Sequence, residues 1–463
     1  MTLNAVTGAA ALTIIIVTTW LYRINSAMKY IPEEVAKWAP RRWTQHEIRA
    51  AYERIKRNPI DFVKDLPPRL DRRYIVIGGA GMVGGDIVMA LLQRGQSRES
   101  IRIVDFAPVT RPDLVAGNCG FVKADITSPA SVEVAFSAPW PASVSKSPLT
   151  VFHTAALINP GERHPMLYER ARRVNVGGTA NLLGAAKKAG ADIFISTGST
   201  SIDILPAEYM IWPWQNSPRR WIQTASEKDF DAPIRPHNLY FANYARSKAE
   251  AERLVCAANE ETFRTGSVRP GNGIYGQNTG QLIGLALRMG TGIVTSTPHL
   301  VQKVVHSRNV ALAHLQFESA LTRREMPLCA GCPFAVTDPG PMQNNEDLYA
   351  AITTLAVTPA KVTILQPIVL LIMGHLVEAY TLMLARLPFL KTTLGLKEPA
   401  FPLNLLQPSI MAISMHMKID DSAARQSVEH GGIAYRGTCN SLDGVCQEIL
   451  EWNLIHEASK GNL

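Results

Sequence analysis

The densest apolar stretch opens the chain. From Met1 to Tyr22 no side chain is charged, and the run from Ala5-Val6 through Ile14-Ile15-Ile16-Val17 to Trp20-Leu21-Tyr22 is long enough to cross about 30 Å of hydrocarbon as a helix. Trp20 and Tyr22 fall where an interfacial aromatic belt belongs. Arg23, Lys29, Lys37, Arg41 and Arg42 follow, diluted by Glu33 and Glu34, and the positive-inside bias puts everything after residue 23 in the cytosol. A cleaved signal peptide would carry a basic leading region, which is missing, and the nearest small-residue site, Asn25-Ser26-Ala27, is weak. The pattern therefore predicts a transmembrane anchor over residues 1–25. A polar connector with helical stretches follows over 26–70 and is closed by Pro67-Pro68.

Beyond the prolines the periodicity changes. Arg73-Tyr74-Ile75-Val76-Ile77 is a short β-rich run, glycines follow, and Ile87, Val88, Leu91 and Leu92 then recur at helical spacing. Further strands are predicted at 101–104, 123–126, 151–156 and 192–195, separated by helical segments. Such alternation makes a doubly wound parallel α/β sheet. A second apolar stretch lies between Lys361 and Glu378 and contains Pro367 and His375. It is shorter than the ~20 residues a span prefers, so it reads as a helix resting on a membrane or covering a substrate. Residues 441–456 read as a closing amphipathic helix.

Composition adds bounds. A chain of 463 residues that is 46% hydrophobic holds two or three domains with real cores, which excludes wholesale disorder. Six cysteines, at 119, 256, 329, 332, 439 and 446, form no disulfide framework and read as reduced thiols. Cys329-Ala330-Gly331-Cys332 lacks a second pair at zinc spacing, so no metal is expected. The net charge of +8 is scattered and comes with no nucleic-acid-binding signature. It suits an anionic membrane surface or simple solvation, and no nucleic-acid partner is expected.

The chemistry starts at Gly78-Gly79-Ala80-Gly81-Met82-Val83-Gly84-Gly85, between the first strand and its helix. Gly78 permits the tight turn, Gly81 lets backbone approach a pyrophosphate at the positive helix end beside Met82 and Val83, and Gly84 lets the helix lie close on the sheet. Asp105 ends the second strand, 21 residues after Gly84, where an acid holds a ribose 2′-hydroxyl and repels a 2′-phosphate. NAD is therefore favoured, with NADP not excluded. Asp125 and Ile126 close the third strand towards the adenine end. Val151-Phe152-His153-Thr154-Ala155-Ala156 lets backbone pass beside the cofactor at Ala155, and His153 itself reads as a strand-end or core histidine.

Tyr-x-x-x-Lys occurs at Tyr52/Lys56, in the connector, and at Tyr244/Lys248, downstream of five strand candidates. Only the second is in the right context. Residues i and i+4 share a helix face, so the Lys248 ammonium can lie under the Tyr244 phenol and lower its pKa, making it a proton acceptor. A hydroxyl to hydrogen-bond the reacting oxygen should come from Ser196-Thr197-Gly198-Ser199-Thr200-Ser201, at a strand end. Asn175 is placed to support Lys248 through water.

With these segments on the page, the chain resembles the extended short-chain dehydrogenase/reductases, and among them the 3β-hydroxysteroid dehydrogenase/isomerase family. Val268-Arg269-Pro270-Gly271-Asn272-Gly273-Ile274-Tyr275-Gly276 and Val305-His306-Ser307-Arg308-Asn309-Val310 fit as well, and the resemblance covers roughly 73–340. It implies a Rossmann-type NAD-binding domain over 71–270 and a smaller substrate domain over 271–463, with part of 301–340 returning to the sheet. It makes Ser199 the catalytic serine beside Tyr244 and Lys248. Gly198 stands where the family usually has a serine, which leaves the choice among Ser199, Thr197 and Thr200 open. The stretch between Ser199 and Tyr244 is longer than usual and carries Trp212, Trp214 and Trp221, which either rim a greasy entrance, dip into a membrane or pack in the core.

The resemblance implies NAD-dependent oxidation of a 3β-type secondary hydroxyl on a steroid, sterol or terpenoid. Decarboxylation would be coupled to it if the substrate bears a 4-carboxylate, or isomerisation if it bears a 5-ene. The alternatives are an NADPH-dependent ketone or aldehyde reductase of secondary metabolism and a catalytically inactive, membrane-tethered nucleotide-binding protein. The expected partners are a hydrophobic small molecule and a membrane, and a homodimer is compatible with the resemblance. The expected place is the endoplasmic reticulum or another intracellular membrane, single-pass, with the catalytic domain facing the cytosol.

Overall fold

Seven parallel strands carry the computed structural model, which describes residues 2–461. Met1, the first residue of the expected anchor, and Asn462 and Leu463, the last of the expected substrate domain, lie outside the described residues. The strands are β1 (Arg73–Ile77), β2 (Ile101–Asp105), β3 (Gly120–Lys123), β4 (Leu149–His153), β5 (Ala191–Thr197), β6 (Arg264–Pro270) and β7 (Pro333–Val336). They lie in the order β3-β2-β1-β4-β5-β6-β7. The reversal between β1 and β4 is a topological switch point, and the crevice outside it is where a doubly wound sheet binds ligands. Tyr74 to Ile77 are buried without alternation, as central parallel strands covered on both faces must be.

The helices that matter to the site are α1 (Thr2–Ala27), α2 (Gln45–Arg57), α3 (Met82–Gln93), α4 (Asn243–Ala257), α5 (Ser307–Leu321), α6 (Pro367–Arg386) and α7 (Ser441–Gly461). One face of the sheet is covered by α3 and α5, whose Ile87, Leu91, Val310 and Phe317 join Val76 and Phe152 in one core. The other is covered by helices 129–137 and 178–188 together with Val255 of α4. A second sheet runs through Gln343–Asn344, Val301–Gln302, His416–Ile419 and Ile222–Ala225 in that order. Ile222–Ala225 thus falls within the range expected for the nucleotide domain but pairs with a strand near the C-terminus.

Three stretches are more closely defined in the structure than in the sequence. The connector packs on the body: α2 opens with a Thr44/Glu47 capping box and buries Ile48, Ala51 and Ile55, the last two in one apolar cluster with Cys446 and Leu450 of α7. The second apolar stretch is a helix of 20 residues, longer than its sequence suggested. Pro367 starts it at the position that tolerates proline, and Glu378 does not end it because it pairs with Arg163 at 2.7 Å. Trp221 is buried core, whereas Trp212 and Trp214 are exposed.

Candidate active site

Tyr244, Lys248 and Glu252 stand at successive i+4 positions of α4, on the face that meets the ends of β5 and β6. Lys248 is buried and donates from Nζ to the Thr197 carbonyl at 2.8 Å. Burial lowers its pKa to about 8, with Glu252 opposing. Tyr244 is half-buried; burial raises its phenol above the ordinary value, and a hydrogen bond with Ser199 pulls the other way. The lowering of Tyr244 expected from Lys248 is therefore not what this arrangement delivers, because the ammonium is turned to the β5 carbonyl while the phenol sits among apolar side chains. The other Tyr-x-x-x-Lys pair lies apart on α2, where the Tyr52 hydroxyl accepts from Asn453 of α7 at 2.9 Å.

The three candidate hydroxyls separate by what they touch. Thr197 donates to His314 Nε2 at 2.9 Å, on the α5 side of the sheet, and Thr200 donates to the Pro270 carbonyl at 2.9 Å. Ser199 is the one of the three that bears on the Tyr244 phenol, lowering its pKa against burial, and it donates to Ser201 Oγ at 2.8 Å. Gly198 has a steric reason. A Cβ there would lie 2.6 Å from Ser267 Oγ and 2.7 Å from Glu252 Oε2. Those atoms belong to a buried cluster that sequence reading missed. Arg269 is fully buried; its Nε donates to Glu252 at 3.0 Å and its Nη1 to Asp203 at 2.8 Å. Ser267 donates to the same Glu252 carboxylate at 2.8 Å. Arg269 thereby ties the turn that follows Ser199 to the helix that carries Tyr244 and Lys248. The signal lay in the position of Glu252, four residues after Lys248, and in the segment Val268 to Gly276, in which Arg269 was given no role.

Asn175 lies in a π-helical turn, Arg172–Gly177, and its side chain is taken up by the Leu157 N–H at 2.8 Å, the Leu157 carbonyl at 3.0 Å and Ser247 Oγ at 2.9 Å. Ser247 in turn donates to the Tyr244 carbonyl at 2.8 Å. Asn175 thus braces the first turn of α4 directly, through Ser247.

The crevice at the switch point suits a dinucleotide. Gly78 has φ +79°, and a Cβ on it would lie 2.6 Å from the Ala155 amide nitrogen, so the glycine loop and the segment after β4 pass in contact. At Gly84 a Cβ would overlap the Gly78 carbonyl, which keeps α3 tight on the loop. Gly81 caps α3 with no side-chain hydrogen bond, so the first-turn amides at Met82 and Val83 are available to an anion. Asp105 accepts from the Ala80 and Ala107 amides, each at 3.0 Å, and each oxygen keeps a lone pair. Asp125, just beyond β3, is exposed and fixed by Thr127, while Ile126 packs against Gly178. A pyrophosphate at the α3 terminus and a ribose at Asp105 fit these groups. No cluster of three or more His, Cys, Asp or Glu side chains among the described residues could hold a metal ion.

A cavity of about 540 Å³, within the ~300–1,000 Å³ usual for small-molecule sites, opens between the segments around 281–302, 345–352 and 365–414. Leu282, Met289, Val294, Leu370, Leu406 and Met411 are among its walls, and Gln281, Thr297, Gln302 and Asn345 add polar points. Among the described residues no charged side chain lines it. Leu370, Leu406 and Met411 belong to the same apolar cluster as Tyr244.

Comparison with known proteins agrees with this picture. The model of the 3-beta hydroxysteroid dehydrogenase/isomerase family matches residues 75–365. Short-chain dehydrogenase/reductase family 42E member 1 of Mus musculus is 28% identical over 295 residues, which is 61% of this chain and 67% of that protein. The 3 beta-hydroxysteroid dehydrogenase/Delta 5→4-isomerase of Mycobacterium tuberculosis is 32% identical over 211 residues, 44% of this chain and 47% of that protein. The match thus spans about two thirds or less of these relatives' length. Among solved structures, UDP-glucose-4-epimerase from Stenotrophomonas maltophila, with bound NAD and formylated UDP-arabinopyranose, superposes with TM-score 0.55 at 16% identity, covering 84% of this chain and 99% of that one. That likeness is one of fold.

Two outcomes follow from this geometry. Gly198→Ser places its Cβ against Ser267 and Glu252, so overpacking should cost about 1–3 kcal/mol in chemical denaturation; an unchanged midpoint would show that the cluster does not constrain the Ser199 turn. For Lys248 the folded value is about 8 against 10.5 unburied, so the unfolded chain binds more protons between those pH values and stability rises with pH across that window. Relative to Lys248→Met, the cofactor-free protein should gain on the order of 3 kcal/mol over it. Parallel stability curves for the two proteins would contradict a buried ammonium.

Proposed function

The chain belongs to the 3-beta hydroxysteroid dehydrogenase/isomerase family, and from that premise we propose that it oxidises a secondary, 3β-type hydroxyl on a neutral steroid, sterol or terpenoid-like substrate with NAD. The observation that carries the reading is the uncharged, mostly apolar cavity whose Leu370, Leu406 and Met411 share an apolar cluster with Tyr244. A nucleotide sugar carries a diphosphate that needs cations or directed amides, and this cavity lines itself with neither Lys nor Arg. A ring system with one or two neutral oxygens matches apolar walls with a few amide and hydroxyl points.

Gly78, Gly81, Met82, Val83 and Gly84 would hold the pyrophosphate of NAD, Asp105 the adenosine ribose, and Asp125, Ile126 and Ala155 the flanks of the crevice. When bound, NAD supplies the hydride acceptor. The carboxylate of Asp105 disfavours a 2′-phosphate, which supports NAD over NADP. Ser199 donates a hydrogen bond to the substrate oxygen and orients it towards Tyr244. Tyr244 takes the hydroxyl proton. Its phenol is held high by burial, so acting as the base would require the Lys248 ammonium, which now donates to the Thr197 carbonyl, to turn towards it; Lys248 would also hold the nicotinamide ribose of NAD. Asn175 and Ser247 keep the first turn of α4 in place while this happens.

We further read α1 as a membrane helix. Its apolar window from Val6 is almost wholly exposed, and only its last residues, such as Ile24 and Ala27, enter the protein core. On this reading the chain is single-pass in the endoplasmic reticulum or another intracellular membrane, with the catalytic body in the cytosol. α6 is long enough to span but buries Leu370, Leu371, Gly374 and Leu384 in the body, which supports a helix lying on the membrane rather than crossing it.

Purified full-length protein, given NAD with a panel of neutral 3β-hydroxysteroids, 4-carboxysterols and UDP-sugars, should reduce NAD with the neutral lipid alcohols and not with the UDP-sugars, with the ketone found by mass spectrometry. Tyr244→Phe should lower turnover by about 10²–10⁴-fold while NAD binding stays within a few-fold. Undiminished turnover in Tyr244→Phe, or turnover confined to UDP-sugars, would overturn the assignment.

A further inference from the structure

We propose that the loop Met210–Trp214 is a second membrane contact, a stacked tryptophan pair clamped to α1 that seats the catalytic body on the headgroup boundary of a phospholipid bilayer. The proposal rests on the reading of α1 as a bilayer helix and goes beyond it, because a single helix fixes neither the tilt nor the height of the body it carries.

Trp212 and Trp214 stack at 5.3 Å with an interplanar angle of 2°, and they are 64% and 75% exposed. Two adjacent indoles left in water forgo most of their burial energy, whereas the boundary between headgroups and hydrocarbon takes an apolar ring and a polar N–H together. Trp221, in the same stretch, is buried and donates its indole N–H to the Tyr30 carbonyl. The exposure is thus confined to the loop.

The depth of the loop is set by α1. Trp20 Nε1 donates to the Ile211 carbonyl at 2.8 Å, and Arg23 donates to the Pro213 and Gln215 carbonyls at 3.1 and 3.2 Å. Trp20 and Arg23 are where the uncharged segment ends and the cationic one begins, the level at which such a helix leaves hydrocarbon. Between α1 and the loop lies a groove of about 690 Å³ whose walls, Arg23 and Thr19 aside, are apolar, a space that acyl chains would fill on the hydrocarbon side of Arg23.

A rigid path leads from the loop to the cavity. Ile211 is buried, the Tyr209 hydroxyl donates to the Met411 carbonyl, and Met411 lines the uncharged cavity. Asn25 of α1 also donates to Gln366 at 2.9 Å, at the start of α6. Both the tryptophan loop and the start of α6 are thus tied to α1, and α6 supplies Leu370 and Met373 to the cavity wall, so on this proposal the cavity is held near the lipid that dissolves the substrate.

The test uses full-length protein in phosphatidylcholine nanodiscs whose acyl chains carry bromine near the headgroup or near the bilayer centre. Shallow bromines should quench a share of tryptophan emission. Trp212→Phe/Trp214→Phe should lose about two thirds of that quenchable share and Trp20→Phe the remainder, because these three of the eight tryptophans lie at the boundary. A double variant quenched as strongly as wild type, while Trp20 still accounts for quenching and the protein resists alkaline extraction, overturns the second contact and leaves the anchor standing. Loss of all quenching together with extraction by alkali overturns both. Trp212→Asp/Trp214→Asp should raise the KM for a bilayer-delivered hydroxysteroid several-fold and leave kcat unchanged; an unchanged KM would count against the loop as the element that seats the cavity.

Discussion

One buried guanidinium joins the helix that carries Tyr244 and Lys248 to the turn that follows Ser199. Arg269 sits at the end of β6 between Glu252 of α4 and Asp203, just after the turn that carries Ser199. A buried ion pair gains little over apolar packing in net stability, but removing one partner strands the other charge in the interior at a cost of about 3–5 kcal/mol. The pairing therefore acts as a register lock. Helix α4 and the Ser199 turn cannot slide apart without exposing or orphaning a charge, and Gly198 is the residue that leaves room for it.

The sheet, the lock and the cavity divide the work. The switch point between β1 and β4 opens a crevice with free helix amides at one end and the Asp105 carboxylate at the other. Residues on β5 and α4 bring Ser199, Tyr244 and Lys248 to its edge. The cavity is built from segments far apart in the chain, around residues 281–302, 345–352 and 365–414. The last of them contains α6, which packs against α1. On the proposed function this arrangement puts an uncharged cavity between a water-facing nucleotide crevice and a lipid-facing surface, which suits a substrate that lives in a membrane.

How much of this was legible in the sequence follows from how local each signal is. The glycine turn, the acid ending β2 and the Tyr244/Lys248 spacing depend on neighbours a few residues away, so periodicity and spacing were enough to place them. The choice of hydroxyl depended on partners far along the chain: Thr197 is claimed by His314 and Thr200 by Pro270, and no local pattern reveals either. Asn175 was read towards Lys248 because its partners, Leu157 and Ser247, come together only when β4, the π-turn and α4 pack. The length of α6 was underestimated because Glu378 looked like a boundary, when Arg163, more than two hundred residues earlier, neutralises it. The cavity could not be foreseen at all, since its walls come from at least three separated segments.

A structure of the Tyr244→Phe variant with NAD and a 3β-hydroxysteroid bound would test the account most directly. The account predicts the carbinol oxygen within about 3 Å of Ser199 Oγ and facing the edge of residue 244, with the ring system among Leu282, Leu370, Leu406 and Met411. A steroid bound elsewhere with this cavity empty, or a nucleotide sugar occupying it, would contradict the account.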